Sequence, residues 1–473
     1  MGGDRFWIRN GTLVTGEGLA ASDLLVEGEA IAAVAPRAAR PDAASAPAGK
    51  GGDEPSVDAT GLWLLPGGVD GHVHMGLPVG SGLRSLGWRE STTGALLGGT
   101  TTVVDFTNPE RGESLTEAVE RALKQAAGES LCDYAVHVTV PEATDARLAE
   151  IPDLVARGLP TFKAYLAYKG RLMLAPAELE RLMLAVRKAG GRLLLHAEDG
   201  EAIAQAEAQL LHTGRSGPEW FPQAHPPGTE IKAVEQALTL ARRTGCPLTI
   251  VHVSLAASIE RVRQALVAGD LARGAVAAEV CLHHLFQNAA LYRAGRDDAL
   301  RAVLSPPLRT PADSEALLAA LADGTVSVLS TDHCEFPLSA KRQEALHGFP
   351  SIPNGTGGVA ERLIVSYTLG VARDRLTPAA WVAACCEQPA RLLGLGGRKG
   401  RLAVGYDADL VLFDPQATGT RLPIGPGDPT ARLWSGATWQ GAVRQVFRRG
   451  RAVVRPGVRS VEQGQGVFLP RRL

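Results

Sequence analysis

Leu65-Pro66-Gly67-Gly68-Val69-Asp70-Gly71-His72-Val73-His74 sets two imidazoles two residues apart at the end of an apolar, strand-like run. Side chains two apart in a strand point to one side, roughly 6–7 Å apart along the chain. Two neutral imidazoles so placed can share one borderline cation such as zinc. An isolated His-x-His reads more simply as two polar residues at a strand end. What decides between the two readings lies further along the chain.

Thr161-Phe162-Lys163-Ala164-Tyr165-Leu166-Ala167-Tyr168 holds a lysine inside an apolar stretch. Leu193-Leu194-Leu195-His196-Ala197-Glu198 and Leu248-Thr249-Ile250-Val251-His252-Val253-Ser254 each carry a histidine after a hydrophobic run, and Ser327-Val328-Leu329-Ser330-Thr331-Asp332-His333-Cys334 closes the series with an aspartate. A lone histidine after a strand is ordinarily a satisfied polar residue, and a lone lysine ordinarily snorkels to water. Five strand ends in chain order, each offering a metal-compatible group, are not explained that way.

Outward from these runs the chain reads as α/β, a (β/α)8, TIM-like barrel with a smaller discontinuous β-sandwich domain built from both chain ends. Strand candidates at 69–74, 100–106, 134–140, 161–166, 192–196, 248–253, 276–282 and 327–331 alternate with helix-period segments such as 176–189 and 230–244. Eight such units count to a barrel, in which catalytic groups gather at the carboxyl ends of the strands. Residues 5–60 show short alternating strands, interrupted at 36–52 by an Ala/Pro/Gly stretch expected to be an exposed loop. Near Gly400 short strands return. The expected division is 1–64 and 396–473 for the small domain and 65–395 for the barrel.

Composition excludes more than it assigns. At 473 residues the chain exceeds one ordinary core. A net charge of −1 gives no reason to expect nucleic acid or an acidic membrane surface as partner. No basic segment followed by an apolar one opens the chain, and no run approaches a membrane span. Six irregularly spaced cysteines suggest reduced thiols and a cytoplasmic location, with Cys385 and Cys386 packed in the core.

With these motifs quoted, the chain resembles the amidohydrolase superfamily, and within it the cyclic amidohydrolases: dihydropyrimidinases and D-hydantoinases, with allantoinase and dihydroorotase as cousins. The likeness runs from Phe6 to about Arg451 and adds Ser305-Pro306-Pro307-Leu308-Arg309 and Ile352-Pro353-Asn354-Gly355 to the motifs above. It implies a binuclear-metal hydrolase that opens the cyclic amide bond of a dihydropyrimidine or 5-substituted hydantoin to an N-carbamoyl amino acid. It also implies two divalent ions, Zn2+ by preference, with His72, His74 and Asp332 on one, His196 and His252 on the other, and N-carboxylated Lys163 between them. Asp332 is then also the proton carrier, Tyr168 the donor to the developing oxyanion, and Ser305 and Asn354 the readers of the ring edge. The partner implied is a small cyclic ureide or imide, and the assembly a homo-oligomer, tetramer or dimer.

Pocket residues bear on the choice within the family. Dihydroorotases present an arginine two residues after the second histidine of His-x-His, where this chain has Gly76; a substrate carboxylate would lose its bidentate contact. Met75, Leu77, Tyr165 and Leu172 suggest an apolar wall. Ala224-His225-Pro226-Pro227-Gly228 departs from the family's usual Arg-Pro version. His283 and His284 resemble the dihydroorotase branch and are expected to be structural or pocket-wall residues rather than metal ligands. His137 is expected to be packed, His333 to support a ligand, and His212, His225 and His347 to lie in loops. Ring opening of the allantoinase or dihydroorotase type stays open as an alternative. A non-catalytic scaffold of this fold is the remote one, since fold alone does not establish activity and all six ligand positions are filled.

Overall fold

The computed structural model describes residues 5–37, 55–80, 82–268, 275–421, 432–434, 436–457, 461 and 464–473. Most of the expected loop at 36–52 lies outside them. Eight parallel strands run in chain order around one sheet: β1 (Gly68–Val73), β2 (Thr100–Phe106), β3 (Asp133–Thr139), β4 (Thr161–Tyr165), β5 (Arg192–His196), β6 (Leu248–Ile250), β7 (Val276–Cys281) and β8 (Val328–Ser330). The sheet closes where Val73 bridges His333 and the His74 N–H donates to the His333 carbonyl at 2.7 Å.

Alternation along the strands builds two layers. In β4, Phe162 and Ala164 face the core shared with the surrounding helices, whereas Lys163 and Tyr165 face a cavity at the barrel's carboxyl end. In β5, Leu193 and Leu195 face outward, and Leu194 packs inside with Phe106 and Val251. The helix Leu115–Ala126 shows why the outer layer forms here. Ser114 and Glu117 make a capping box at its start, and Leu115, Ala118, Val119, Ala122 and Ala126 lie buried along one stripe. The helices expected at 176–189 and 230–244 run over Pro176–Lys188 and Pro227–Thr244, the second ending at Gly245 with φ 66°. β6 is shorter than expected because the backbone turns left-handed at His252, φ 39°.

A second eight-stranded sheet draws on both chain ends. Its central strand Arg5–Thr15 pairs with Gly18–Glu27 and with Trp63–Pro66, and Trp63–Pro66 pairs in turn with Leu410–Asp414. Its core, including Ile8, Leu24, Val26, Leu64, Leu410 and Phe447, is separate from the barrel's. The opening stretch of sequence therefore joins two sheets. Trp63–Pro66 belongs to the small one, Gly68 begins β1, and Gly67 makes the crossing where a Cβ would stand 2.2 Å from Thr101 Oγ1. Buried Lys399 fastens the two parts, with Nζ 2.7 Å from Asp133 at the start of β3, 2.8 Å from Asp407 and 2.7 Å from Asp409.

Candidate active site

The carboxyl ends of the barrel strands open into a cavity of about 670 Å³ whose lining includes all the residues singled out from sequence: His72, His74, Lys163, Tyr168, His196, His252, Ser305, Asp332 and Asn354. Ligand atoms of His72, His74 and Asp332 lie within 4.8 Å of one another. The His72 and His74 Nε2 atoms stand 3.2 and 3.1 Å from the same Asp332 oxygen, Oδ1. The other His72 nitrogen, Nδ1, is 2.7 Å from Glu279 Oε1, which also accepts the His252 backbone N–H at 3.2 Å. A carboxylate can only accept from Nδ1, so the neutral His72 ring carries its proton there and Nε2 is a bare lone pair. That lone pair faces a carboxylate oxygen, and a cation shared between them is what such a pairing fits.

The remaining groups meet on the opposite wall. His196 Nε2 is 2.8 Å from Glu198 Oε2, which by the same reasoning leaves Nδ1 as the bare lone pair. The His196 and His252 rings are 4.5 Å apart, and His252 Nδ1 is buried with no partner, as is His74 Nδ1. Lys163 lies fully inside, its Nζ 5.1 Å from the Phe106 ring and 5.0 Å from that of Tyr165. Burial pulls its amine down to about 8. Phe106 is the floor of the site, in ring contact with His72, His74 and His137 at 4.6–4.8 Å.

Three site residues carry left-handed backbone without being glycine: Tyr168 at φ 64°, His252 at 39° and Asp332 at 47°. Such strain, about 1–3 kcal/mol each, persists where surroundings over-determine it and collects at functional sites. Burial holds the Tyr168 phenol above its usual range, so it stays a proton donor. Asn354 Nδ2 donates to Ser305 Oγ at 3.0 Å.

Sequence reasoning missed the residues that hold these candidate ligands in place. Glu279 sits 207 positions from His72 and meets it only across the barrel. Glu198 pairs with both His196 and His225, and burial, which would raise its carboxyl, is outweighed by those two rings, leaving it well below the carboxylate range. His225 does lie in a turn, yet it is buried and part of this chain of contacts, with Arg309 donating to its carbonyl. His137 is packed and bonded to Thr161 and Gly71, and the His333 ring bonds Ser91 Oγ at 3.0 Å. The expected apolar wall needs correction. Met75 faces the opposite way from its neighbour His74, into the barrel core, and Glu110, Arg171 and Glu344 join Leu77, Tyr165 and Leu172 around the cavity.

A barrel whose strand ends gather His-x-His, lysine, two further histidines and an aspartate defines a metal-dependent hydrolase of the amidohydrolase class, and the profile of the Amidohydrolase family matches residues 63–453. The chain is 32% identical to a D-hydantoinase of Ralstonia pickettii over 472 residues, covering 98% of each chain, and 32% identical to a D-hydantoinase of Rhizobium radiobacter over 469 residues, again 98% of each. A crystal structure of dihydropyrimidinase from Brevibacillus agri superposes with a TM-score of 0.90 at 31% identity over 99% of both chains. The chain belongs to the dihydropyrimidinase/hydantoinase family of cyclic amidohydrolases. That family uses a binuclear metal site, and the groups just described are of the kind such a site requires. Among the described residues no helix is long and apolar enough to cross a membrane.

Proposed function

We propose that this chain hydrolyses the ring amide of a cyclic ureide or imide, a dihydropyrimidine or a 5-substituted hydantoin, to an N-carbamoyl amino acid. In this reading His72, His74 and Asp332 hold one divalent ion, His196 and His252 a second, and Lys163, carboxylated on Nζ, bridges the two. The nitrogen-rich set suits Zn2+. The observation that carries the reading is the meeting of all six groups around one cavity at the strand ends of a chain whose relatives are named D-hydantoinase and dihydropyrimidinase. A homo-oligomer, dimer or tetramer, and a cytoplasmic location rest on the same likeness.

Lys163 suits its modification. With its amine brought down to about 8, an appreciable fraction is free base, able to form an N–C bond to carbon dioxide and release a proton to give an anionic carbamate. Two divalent ions, when bound, polarise the amide carbonyl and supply an activated water. Asp332 accepts the proton of the attacking water and returns it to the departing ring nitrogen. Tyr168 donates a hydrogen bond to the carbonyl oxygen as that oxygen gains negative charge. Ser305 and Asn354, joined to each other, present main-chain groups to the ring's N–H and C=O edge.

The pocket favours rings without a carboxylate. Gly76 stands where the dihydroorotase arginine would be needed, in a φ 67° conformation that an arginine adopts only with strain. Outside the six proposed ligand groups, the charged lining residues are Glu110 and Glu344 against Arg171, a set with a net negative charge. Burying an unpaired carboxylate there costs several kcal/mol, on the order of a thousandfold in specificity. The test is a panel on Zn2+-loaded protein: dihydrouracil, hydantoin, 5-substituted hydantoins, allantoin and dihydroorotate. Opening of the dihydropyrimidine or hydantoin rings with poor turnover of dihydroorotate is expected; dihydroorotate as the best substrate contradicts this reading of the pocket.

A further inference from the structure

A second cluster of metal-binding groups stands beside the six-residue centre and takes no part in the reaction described above. Cys281 ends β7, and His283 and His284 follow in the short helical turn Leu282–Phe286. Each of the three offers a ligand atom within 4.8 Å of the other two, and all are at most 3% exposed. The two rings lie 4.3 Å apart. His284 Nε2 is 3.0 Å from the Pro306 carbonyl oxygen. A carbonyl only accepts, so Nε2 carries the proton and Nδ1 is a bare lone pair, buried and without a partner. His283 Nε2 is likewise buried and unpartnered, and the His283 side chain lines the catalytic cavity, which gives the cluster access to solutes.

We propose that Cys281, His283 and His284 form a third cation site, distinct from the six-residue centre and suited to a borderline divalent ion of the Zn2+ or Co2+ kind. The donor set is one thiol and two neutral imidazoles, which selects such ions over Mg2+ and Ca2+. Unpartnered imidazole nitrogens in an apolar interior lose free energy unless something satisfies them, and here two of them sit in one three-residue cluster. Cys281 Sγ has only the weak contact to Ser330 Oγ at 3.6 Å. Burial together with Asp332 and Glu279 pushes the free thiol well above its usual range, and a cation bound to the two imidazoles deprotonates a coordinating thiol outright. On binding, the S–H bond breaks, the S–metal bond forms, and the proton leaves to solvent.

Sulfur gives this site its own signature, since none of the six groups of the neighbouring centre contains it. Cobalt(II) alone is the probe, added under anaerobic conditions to the full chain freed of metal. The intact protein is expected to develop a near-ultraviolet thiolate-to-cobalt charge-transfer band and to bind one equivalent more than Cys281→Ser. That variant loses the band while keeping the visible bands of cobalt on nitrogen and oxygen ligands. His284→Ala, which retains the thiol, needs at least tenfold more Co2+ for the same band. The other five cysteines are buried and belong to no candidate metal cluster among the described residues, and since Cys334 also lines the cavity, it is loss of the band in Cys281→Ser that assigns it to Cys281. Absence of the band in the intact chain at excess Co2+, or a band undiminished by Cys281→Ser, overturns the proposal. Either result leaves the six-residue centre to be judged on its own nitrogen and oxygen spectrum.

Discussion

His72 shows how much of this site depends on a residue that contributes no ligand atom. Glu279 fixes the ring's proton on Nδ1 and at the same time accepts the backbone N–H of His252, so one carboxylate orients groups on both sides of the cavity. Glu279→Gln keeps the shape and removes the charge. By analogy with other second-layer carboxylates it should weaken metal binding about 10–100-fold, measured as the free Zn2+ concentration that restores half activity. Unchanged affinity would assign Glu279 to packing. As the proposed donor to the oxyanion, Tyr168 would act on the barrier rather than on binding. Tyr168→Phe should lower kcat by an amount equivalent to about 3–4 kcal/mol with KM little changed. A phenylalanine variant with full turnover would make Tyr168 a cavity-wall aromatic only.

At the scale of elements, strand alternation explains what could be read from sequence and what could not. The eight strands and their order are legible because buried parallel strands are apolar runs separated by helical periods. The six candidate ligands stand out in the sequence because each lies within or just after such a run. Met75 was open to the same reasoning: as the neighbour of His74 it must face the other way, and it packs into the core. The left-handed turns at His252 and Asp332 shorten the strands before them, and no residue type in those runs announces that. Glu279 and His225 were hidden for another reason. Their partners come from distant strands and turns, and a single sequence carries no sign of which elements meet. The floor of the site offers a test of packing. Phe106 touches His72, His74, His137 and Leu194 from the end of β2. Phe106→Ala should cost about 3–5 kcal/mol in denaturant unfolding and loosen both metal positions, whereas loss below 1 kcal/mol would show that the barrel interior repacks around the gap.

For the whole molecule, the two sheets are tied at a few buried points, Gly67 at the crossing and Lys399 among three aspartates. The barrel's carboxyl end thereby stays free to hold the cavity. A discontinuous small domain was legible because strand patterning returns near Gly400, and the expected boundary after residue 64 cuts the strand Trp63–Pro66, whose last two residues stay in the small sheet before the crossing at Gly67. The central claim is that six side chains from five strand ends form one binuclear centre whose bridge is Lys163. The most direct test is metal reconstitution of the metal-free chain, with Zn2+ per protomer and ring-opening rate followed together in bicarbonate buffer, for the intact protein and for Lys163→Ala. The account predicts that activity rises to its plateau at two equivalents, that any further ion adds none, and that Lys163→Ala stays nearly inactive until a small carboxylic acid is supplied in place of the carbamate. Full activity at one equivalent or none, or an alanine variant as active as the intact chain, would contradict it.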